Sequence, residues 1–248
     1  AQCYIMIDGD DTYPAQFGRE MAEKVLVLVS GGLDSTTCLA REVKRVGSEN
    51  VVALSIYYGQ KHDKEIASAK AVTDYYHVEW LQLDLTKIFQ FSNSSLLSHS
   101  DVEIPKESYG DQLAETDGEL VSTYVPFRNG LFLSSAASIA LSKGCSVICY
   151  GAHSDDVAGA AYPDCSKEFN DAINSAIYIG SGKELRVEAP FVNMTKADIV
   201  KEGLELGVPY ELTWSCYEGG EEPCGQCGTC IDREKAFEEN GVTDPLLK

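Results

Sequence analysis

The amino-acid sequence predicts an α/β fold with a doubly wound parallel sheet, and three observations support that prediction. Apolar residues make up 44% of the 248 positions, which suffices for a sizeable core. The run Val25-Leu26-Val27-Leu28-Val29 is continuously apolar and of strand length, as expected for a central strand buried on both faces. Further apolar runs alternate with segments of helical length, as right-handed βαβ units require.

The predicted elements follow a regular order along the chain. They are strand 25–29, helix 35–46, strand 51–58, helix 61–77, strand 80–83, helix 129–142, strand 146–151 and helix 195–206. Thr195 is suited to cap the last helix, and Gly207 is placed to end it. A polar stretch at about 92–119 predicts a loop or lid. Because ligands of such sheets bind beyond the carboxyl ends of the strands, we expect the site there.

The chain divides into three predicted parts. Residues 21–210 form the nucleotide-binding α/β domain, and residues 211–248 form a metal-binding C-terminal region. Residues 1–20 differ from both and are interpreted as an extension or an expression remnant of unknown role. Within them, Asp8-Gly9-Asp10-Asp11 resembles the acidic motif of nucleotide-sugar glycosyltransferases, but it lacks the preceding strands and helices of such an enzyme.

Charge and hydropathy argue against two classes of partner, nucleic acids and membranes. The 39 acidic residues outnumber the 20 basic ones, for a formal net charge of −19, and no Lys/Arg cluster is present. Proteins that bind nucleic acid usually carry a basic face, so a direct RNA or DNA ligand is not expected. No apolar run approaches the roughly 20 residues that span a bilayer, and the start lacks the pattern of a secretory signal. A cytoplasmic protein without membrane association is therefore expected.

A glycine-rich run, Ser30-Gly31-Gly32-Leu33-Asp34-Ser35-Thr36, stands where the first strand must turn into a helix. Two glycines allow a positive φ and a close approach of the backbone to an anion. The helix N-terminus then offers unpaired amides to a phosphate. The Gly-Lys-Ser/Thr ending of a Walker loop is absent. The run resembles the loop of the ATP pyrophosphatases (the PP-loop family), which holds the leaving pyrophosphate of ATP.

This resemblance implies that a substrate oxygen attacks the α-phosphate, that pyrophosphate leaves, and that Mg²⁺ accompanies ATP. It also implies an adenine nucleotide alpha-hydrolase-like, Rossmann-like fold. We expect Asp34 and Ser35 to be catalytic. The residues expected to contact ATP are Leu28, Val29, Ser30, Gly31, Gly32, Leu33, Asp34, Ser35, Thr36, Thr37 and Cys38.

Four late cysteines have the spacing of a metal site. Cys216, Cys224, Cys227 and Cys230 form the pattern C-x7-C-x2-C-x2-C. Four thiolates around one centre predict a closed, structural zinc site, one per subunit, and an iron–sulfur cluster stays open as the alternative. The odd total of nine cysteines argues against a disulfide framework. The small buried apolar cysteines are expected to be Cys3, Cys38, Cys145 and Cys149.

Three polar segments, 58–62, 122–129 and 151–165, follow or approach strand ends, where a ligand crevice is expected. Arg128 is a fork-shaped donor that suits a carboxylate or a phosphate, although it equally suits a salt bridge at a helix start. His153 equally suits a core position. Candidate acceptors for the amidine edge of a guanine-like ring are Asp155, Asp156 and Asp164. The expected substrate-binding residues are Arg128, Asn129, His153, Asp155, Asp156, Tyr162 and Asp164.

Three further parts of the sequence are the glycine-rich run 30–36 (the phosphate loop), the segment 212–217 and residues 224–230 (the cysteine knuckle). Together with them, the polar segments resemble the 7-cyano-7-deazaguanine synthase family over about residues 23–246. The resemblance implies that 7-carboxy-7-deazaguanine, ammonia and ATP are the substrates, that one zinc binds per subunit, and that the enzyme is a homodimer. Two features depart from the family pattern. Phe127 stands where many members have glycine, and Ala160-Ala161 lengthens the stretch before Tyr162.

The expected chemistry has two ATP-dependent activations, of the acid and then of the amide, through one phosphate loop. Lys61 and Arg128 are the candidate catalytic contacts to phosphate or carboxylate. The general base stays open between His62, His153 and the pair Asp155-Asp156. Three alternatives also stay open: a related enzyme that acts on tRNA, a paralogue that stops at the amide or attaches the deazaguanine to another molecule, and a non-catalytic zinc module.

Overall fold

The computed structural model describes residues 23–108, 112, 120–154 and 162–247. The extension at 1–20, with its acidic run, and Asp155, Asp156 and Ala160-Ala161 lie outside the described residues. The predictions made for them therefore stay predictions. In the part of the chain that is described, every helix is too short or too polar to cross a bilayer.

A five-stranded, all-parallel sheet forms the centre of the fold. Its strands are β1 Val25–Leu28, β2 Val51–Tyr57, β3 Glu79–Asp84, β4 Val147–Cys149 and β5 Arg186–Glu188. Their spatial order is β3-β2-β1-β4-β5. This order reverses beside β1, as in doubly wound sheets that bind nucleotides. The predicted fold class is confirmed.

Helices cover both faces of the sheet. They are α1 Leu33–Val46, α2 Lys64–Tyr76, α3 Thr86–Phe89, α4 Arg128–Ser142, α5 Lys167–Gly180, α6 Lys196–Leu206 and α7 Gly228–Glu239. Short 3₁₀ turns occur at Ser48–Asn50, Pro163–Cys165, Tyr210–Leu212 and Pro245–Leu247.

The strand period of two separates the core into two layers. Val25 and Val27 of β1 pack with α1, α6 and α7 on one face, whereas Leu26 packs with α4 and α5 on the other. All three side chains are fully buried, which explains why β1 is continuously apolar. Ala236 and Phe237 of α7 belong to the first layer, so the C-terminal helix packs directly into the main core.

The predicted elements that the structure describes agree with it to within about three residues at each end. Thr195 accepts a hydrogen bond from the amide of Asp198, whose carboxylate accepts one from the Thr195 amide in return. Gly207 ends α6 with a left-handed φ of 69°. Four elements, α3, α5, β5 and α7, were not predicted from the sequence. The three residues of β5 include two charged ones at its ends, and they give too little periodicity to detect.

The fold brings two loops together at the switch point. Because β4 pairs with β1, with Val27 opposite Cys149, the segments after these strands lie side by side. A Cβ atom on Gly151 would lie 3.1 Å from the carbonyl carbon of Asp34, so any larger residue there would press against the phosphate loop. The carboxyl ends of β1 and β4 therefore form one wall of the candidate site.

Candidate active site and metal centre

A cavity of about 230 Å³ lies beyond the carboxyl ends of the central strands. The phosphate loop forms one side, with Gly32 and Asp34 among the lining residues. Arg128 and Asn129 at the start of α4 line the cavity as well. Its remaining walls are largely apolar or aromatic, from Leu54, Ile56, Tyr58, Phe132, Tyr150, Ala152 and Tyr217. The site is thus a half-open, concave space lined by both polar and apolar groups, which suits a small molecule.

Two serine hydroxyl groups stabilise the conformation of the phosphate loop by hydrogen bonds within it. Ser35 Oγ accepts a hydrogen bond from the Ser30 amide at 3.2 Å and lies 3.1 Å from Ser30 Oγ. Gly32 is the N-cap of α1 and provides no side chain to the first helical amides. Those amides have no partner within the helix and are available to an anion.

Gly31 fixes the loop against α2. Its φ of 89° belongs to the left-handed region, which a residue with a side chain adopts only at a cost. A Cβ atom there would lie 2.3 Å from the Glu65 carbonyl oxygen and 2.5 Å from the Ala69 amide. Glycine is thus required at this position both for its conformation and for the close approach of two backbones.

Asp34 is the charged centre of the loop. Its Oδ2 lies 3.1 Å from Lys196 Nζ and 3.7 Å from His153 Nε2. Burial raises the pKa of Asp34, but the charges of Lys196 and His153 outweigh burial and hold that pKa well below its ordinary value. Among the described residues its other oxygen, Oδ1, is buried and has no hydrogen-bond partner.

Arg128 lines the cavity and is half-buried. Its guanidinium donates a hydrogen bond to Tyr58 Oη at 3.3 Å and lies 5.4 Å from that ring and 6.0 Å from the Phe132 ring. Burial lowers the pKa of Arg128, while Tyr58 and Asp164 raise it above its ordinary value, so the group stays charged. Burial likewise raises the pKa of Tyr58 to about 12. The salt bridge at a helix start, the other use considered for Arg128, is not found among the described residues.

Asn129 lines the cavity next to Arg128, whereas Tyr162, Asp164 and His153, also predicted to bind substrate, are not among the residues that line it. Asp164 accepts a hydrogen bond from the Asn129 amide at 2.8 Å, and Asn129 Nδ2 donates to the Asp164 carbonyl at 3.1 Å. The Asp164 carboxylate thereby caps α4 from a distant segment. Tyr162 Oη lies 2.6 Å from Thr123 Oγ1. Asp164, proposed from the sequence as a substrate acceptor, therefore binds Asn129 at the start of α4.

Other predicted site residues are not brought into the cavity. Lys61 is exposed and donates to the Val102 carbonyl at 3.3 Å, because the chain turns outward after Gln60, whose side chain binds the Tyr58 amide. His62 packs against Trp214, at 6.5 Å between ring centroids, and burial lowers its pKa. The last three residues of the expected ATP segment, Thr36, Thr37 and Cys38, are fully buried beneath the loop.

Two charged residues that the sequence analysis did not select do line the cavity, namely Glu65 and Lys196. Lys196 is the first residue of α6 and directly follows its Thr195 cap. Glu65 lies in the first turn of α2. Their positions in the sequence could have indicated this. Both lie in the first turn of a helix that follows a strand, and such turns border the ligand crevice in this fold.

The four late cysteines come together. Every Sγ atom of Cys216, Cys224, Cys227 and Cys230 lies within 4.8 Å of the other three. This spacing suits thiolates around a single ion with bonds of about 2.3 Å. An iron–sulfur cluster with four irons would hold its four thiolate ligands further apart, because the irons would lie between them.

Amide hydrogen bonds around the cluster suit negatively charged sulfur. Cys216 Sγ accepts from the amides of Glu218 and Cys224 at 3.4 and 3.3 Å. Cys224 Sγ accepts from the amides of Gln226 and Cys227 at 3.4 and 3.3 Å. Such contacts orient thiolate ligands and stabilise their charge. The cluster can therefore bind a metal ion.

The metal centre is tied to the phosphate loop by short contacts. Next to Cys216, the Trp214 amide donates to the Gly31 carbonyl at 2.9 Å. Thr229 of the cysteine knuckle donates to the Ser215 carbonyl at 2.7 Å, and both residues line the cavity. The metal site thus braces one wall of the cavity.

A buried arginine holds the same segment from behind. Arg233 on α7 donates to both carboxylate oxygens of Asp244, at 2.6 and 2.9 Å. It also donates to Thr213 Oγ1 at 2.7 Å and to Ser215 Oγ at 3.2 Å. A bidentate, buried pair of this kind fixes orientation as well as charge.

Comparison with known proteins supports the resemblance found in the sequence. The family model of the queuosine biosynthesis protein QueC matches residues 24–241. The 7-cyano-7-deazaguanine synthase of Archaeoglobus fulgidus is 46% identical over 225 residues, which cover 90% of each chain. That of Caldicellulosiruptor bescii is 43% identical over 223 residues, 90% of this chain and 96% of the relative.

A solved structure, the NMN synthetase from Francisella tularensis, is similar at a TM-score of 0.49 and 14% identity, over 90% of this chain and 79% of that one. A likeness of this size says nothing about activity, whereas the family match covers nearly the whole described chain. The chain belongs to the family of the queuosine biosynthesis protein QueC, whose similar members are named 7-cyano-7-deazaguanine synthase, and it is an enzyme of the ligase class.

Proposed function

We propose that this enzyme converts 7-carboxy-7-deazaguanine, ammonia and ATP into 7-cyano-7-deazaguanine through an adenylated acid, an amide and an adenylated amide. One observation carries the proposal. A single cavity has the amides of a phosphate loop on one side and a half-buried arginine, Arg128, whose only hydrogen-bond acceptor among the described residues is Tyr58. The cavity thereby binds two anions next to each other, as a carboxylate that attacks a phosphate requires.

The loop would bind the phosphates of ATP through the first amides of α1 and through Lys196. The orphaned, buried Oδ1 of Asp34 suits a cation, so Asp34 is the residue we assign to Mg²⁺ with ATP. When bound, Mg²⁺ neutralises charge that grows on the leaving pyrophosphate. Lys196 keeps Asp34 ionised and oriented for this contact. Ser35 maintains the loop conformation through Ser30.

Arg128 would orient the carboxylate of the deazaguanine toward the α-phosphate. A carboxylate oxygen then attacks phosphorus, and pyrophosphate leaves. Ammonia displaces AMP and gives the amide. In a second round the amide oxygen attacks ATP, and loss of AMP with the nitrogen proton leaves the nitrile. One loop serves both rounds, because each begins with an oxygen that attacks the same phosphate.

The apolar walls suit a flat heterocycle. Phe132 and Tyr217 would pack against the ring, while Tyr58 holds Arg128 in place. Asp155 and Asp156 remain our candidates for the amidine edge of the base. The cysteine cluster is assigned to one structural zinc per chain, since four thiolates fill a tetrahedral ion and leave no open position. We also propose that the enzyme is a homodimer, as the family resemblance implies. Light scattering measures this oligomeric state.

Mass spectrometry of the product from 7-carboxy-7-deazaguanine, ATP and ammonium tests this function. We expect the nitrile, with two AMP released per molecule. Accumulation of the amide alone would replace the proposal by a paralogue that stops there. Turnover without ATP consumption would overturn it altogether. Asp34→Asn is expected to lower turnover by at least about 10²-fold, and nitrile formation at the wild-type rate would contradict the role of the loop.

A further inference from the structure

Glu65 lines the cavity between the phosphate loop and Arg128. It lies in the first turn of α2, and its backbone carbonyl packs on Gly31, where even a Cβ atom would approach to 2.3 Å. This contact fixes the base of the Glu65 side chain beside the loop. The guanidinium of Arg128 is close enough to act on the charge of Glu65.

The carboxyl group of Glu65 has no fixed partner. Among the described residues, no hydrogen bond or ion pair involves its side chain, although the group lines the cavity together with Ile66 and Phe132. The other charged groups that line the cavity are Asp34 and Lys196, which pair with each other, and Arg128, which donates to Tyr58. Burial raises the pKa of Glu65 to about 7, against the opposing charge of Arg128.

The proposed reaction leaves one chemical requirement without a residue. At neutral pH ammonia is present almost entirely as ammonium, whose nitrogen has no lone pair and cannot attack a carbon. A base at the reaction centre must therefore remove one proton before the carbon–nitrogen bond forms. In the proposed adenylate the acyl carbon lies between the oxygen that Arg128 contacts and the phosphate that the loop binds. Glu65 lines the same cavity, close to Gly31 of the loop and within the influence of Arg128.

On the basis of the proposed function, we infer that Glu65 is the catalytic residue that binds ammonium and takes its proton for attack on the adenylated acid. Recognition of the base by Glu65 is disfavoured by geometry. The amidine edge of a 7-deazaguanine lies at the opposite end of the ring system from the carboxyl group on carbon 7. A group beside the carboxyl carbon therefore contacts the nucleophile rather than that edge.

The step balances as follows. Ammonium transfers one proton to the Glu65 carboxylate, and the freed lone pair forms the carbon–nitrogen bond at the acyl carbon. The carbon–oxygen bond to AMP breaks, and AMP leaves with that electron pair. The nitrogen then loses a second proton to water and becomes the amide. Glu65 releases its proton to solvent before the next turnover. No oxidant or reductant is needed.

Glu65→Gln tests this inference, with Asp74→Asn as the matched control. Asp74 lies on the same helix, is exposed, and pairs only with Lys70. Two reactions are measured for each protein: ATP–pyrophosphate exchange that depends on 7-carboxy-7-deazaguanine, which reports adenylation, and amide plus nitrile formation from ammonium. We expect Glu65→Gln to keep exchange within about threefold of wild type and to lose about 10²-fold or more of amide formation.

Hydroxylamine provides a readout that a merely structural role would not change. It is unprotonated at neutral pH and needs no base before it attacks. Glu65→Gln is expected to form the hydroxamate at nearly the wild-type rate, and its deficit with ammonium should shrink as the pH rises. Asp74→Asn should match wild type in every assay.

The outcomes separate the two proposals. Wild-type protein that exchanges no pyrophosphate and makes no nitrile overturns the proposed function. Wild-type nitrile formation together with full ammonium-dependent activity of Glu65→Gln overturns only the role of Glu65. Equal losses with ammonium and hydroxylamine also overturn that role, because the defect then lies in binding or folding. Glu65→Asp, which keeps a carboxylate, should recover part of the ammonium-dependent rate.

Discussion

Lys196 Nζ lies 3.1 Å from Asp34 Oδ2, and this contact joins the first turn of α6 to the phosphate loop across 162 positions of sequence. Both side chains are largely buried, at 12% and 24% exposed. A buried carboxylate without a cation would cost several kcal/mol. The pair thus determines both the charge state of the loop and its position.

Replacing Lys196 by methionine leaves Asp34 with His153 as its remaining basic neighbour. We expect the free energy of unfolding at pH 7 to fall by about 3 kcal/mol. Because the folded pKa of Asp34 is lowered, its contribution is present above the ordinary aspartate pKa and is lost as the pH falls through the folded value. The difference in free energy of unfolding between wild type and Lys196→Met should therefore shrink below about pH 4. Urea unfolding at several pH values measures it.

A double-mutant cycle with Asp34→Asn provides the control. Neutral asparagine needs no cation, so Lys196→Met should cost clearly less in that background. Lys196→Arg retains the charge and should retain most of the stability. Additive losses in the cycle would mean that Lys196 stabilises the fold through other contacts.

Metal removal should affect the phosphate loop as well as the C-terminal segment. Cys224→Ser loses one of four thiolates, and we expect loss of the ion and of up to several kcal/mol of stability. Because the Trp214 amide binds the Gly31 carbonyl, pyrophosphate exchange should fall too. Elemental analysis and thermal melts measure both effects.

Cys145→Ala is the matched control for the metal. Cys145 is buried, at 4% exposed, whereas Cys224 is half-buried, and Cys145 packs in the apolar layer under α4, away from the four clustered cysteines. It should keep about one zinc per chain. Iron with inorganic sulfide in the wild-type protein would replace the zinc assignment by a cluster.

Glu65 should make the fold less stable as the pH rises. Its pKa is about 7 in the folded chain against an ordinary value of 4.5, so the folded state binds the proton more tightly than the unfolded state. The free energy of unfolding therefore falls between these two values and stays reduced above them. Glu65→Gln has no carboxyl group at this position, so its free energy of unfolding does not fall in this way. Its melting temperature should exceed that of wild type by a few degrees at pH 8 and equal it near pH 4.5.

A melting temperature of Glu65→Gln below that of wild type at pH 8 would contradict this prediction. The expected combination, higher stability with lower activity, is typical of a residue that serves catalysis at the expense of the fold.

Phe127 and Gly130 should be coupled. Phe127 has a left-handed φ of 54°, a backbone conformation that favours glycine. Its ring lies over Gly130, where a Cβ atom would approach the Phe127 Cε1 atom to 2.3 Å. Gly130→Ala should therefore displace the ring in wild type, at the low end of overpacking costs, about 1 kcal/mol, because the exposed ring can move into solvent.

In a Phe127→Gly background the same alanine meets no ring, and its higher helix propensity should offset much of the cost. Phe127→Gly alone loses the edge contact with Phe169, at 6.0 Å between centroids, but relieves the backbone. An equal cost of Gly130→Ala in both backgrounds would show that the clash lies elsewhere. Chemical unfolding of the four proteins measures the coupling.

Local patterns explain what could be predicted. The strand β1, the glycines of the phosphate loop and the boundaries of α6 follow from residues within a few positions of each other. The cysteine site is also local, because three of its ligands lie within seven residues. In contrast, α5 was not predicted, although Ser166 caps it and Phe169, Ile173 and Ile177 repeat at helical spacing on the face that packs against the core.

The sequence by itself determined the phosphate loop, the fold class and the four thiolates, because each depends on spacing along one segment. Only the tertiary structure decided which charges enter the cavity. The strand order sets β4 beside β1, so His153 and Lys196 reach Asp34, while Lys61 points away. The tertiary structure also places the Asp164 carboxylate where it accepts a hydrogen bond from the backbone amide of Asn129. These contacts join residues far apart in the chain, and their energies depend on burial, which no local pattern encodes.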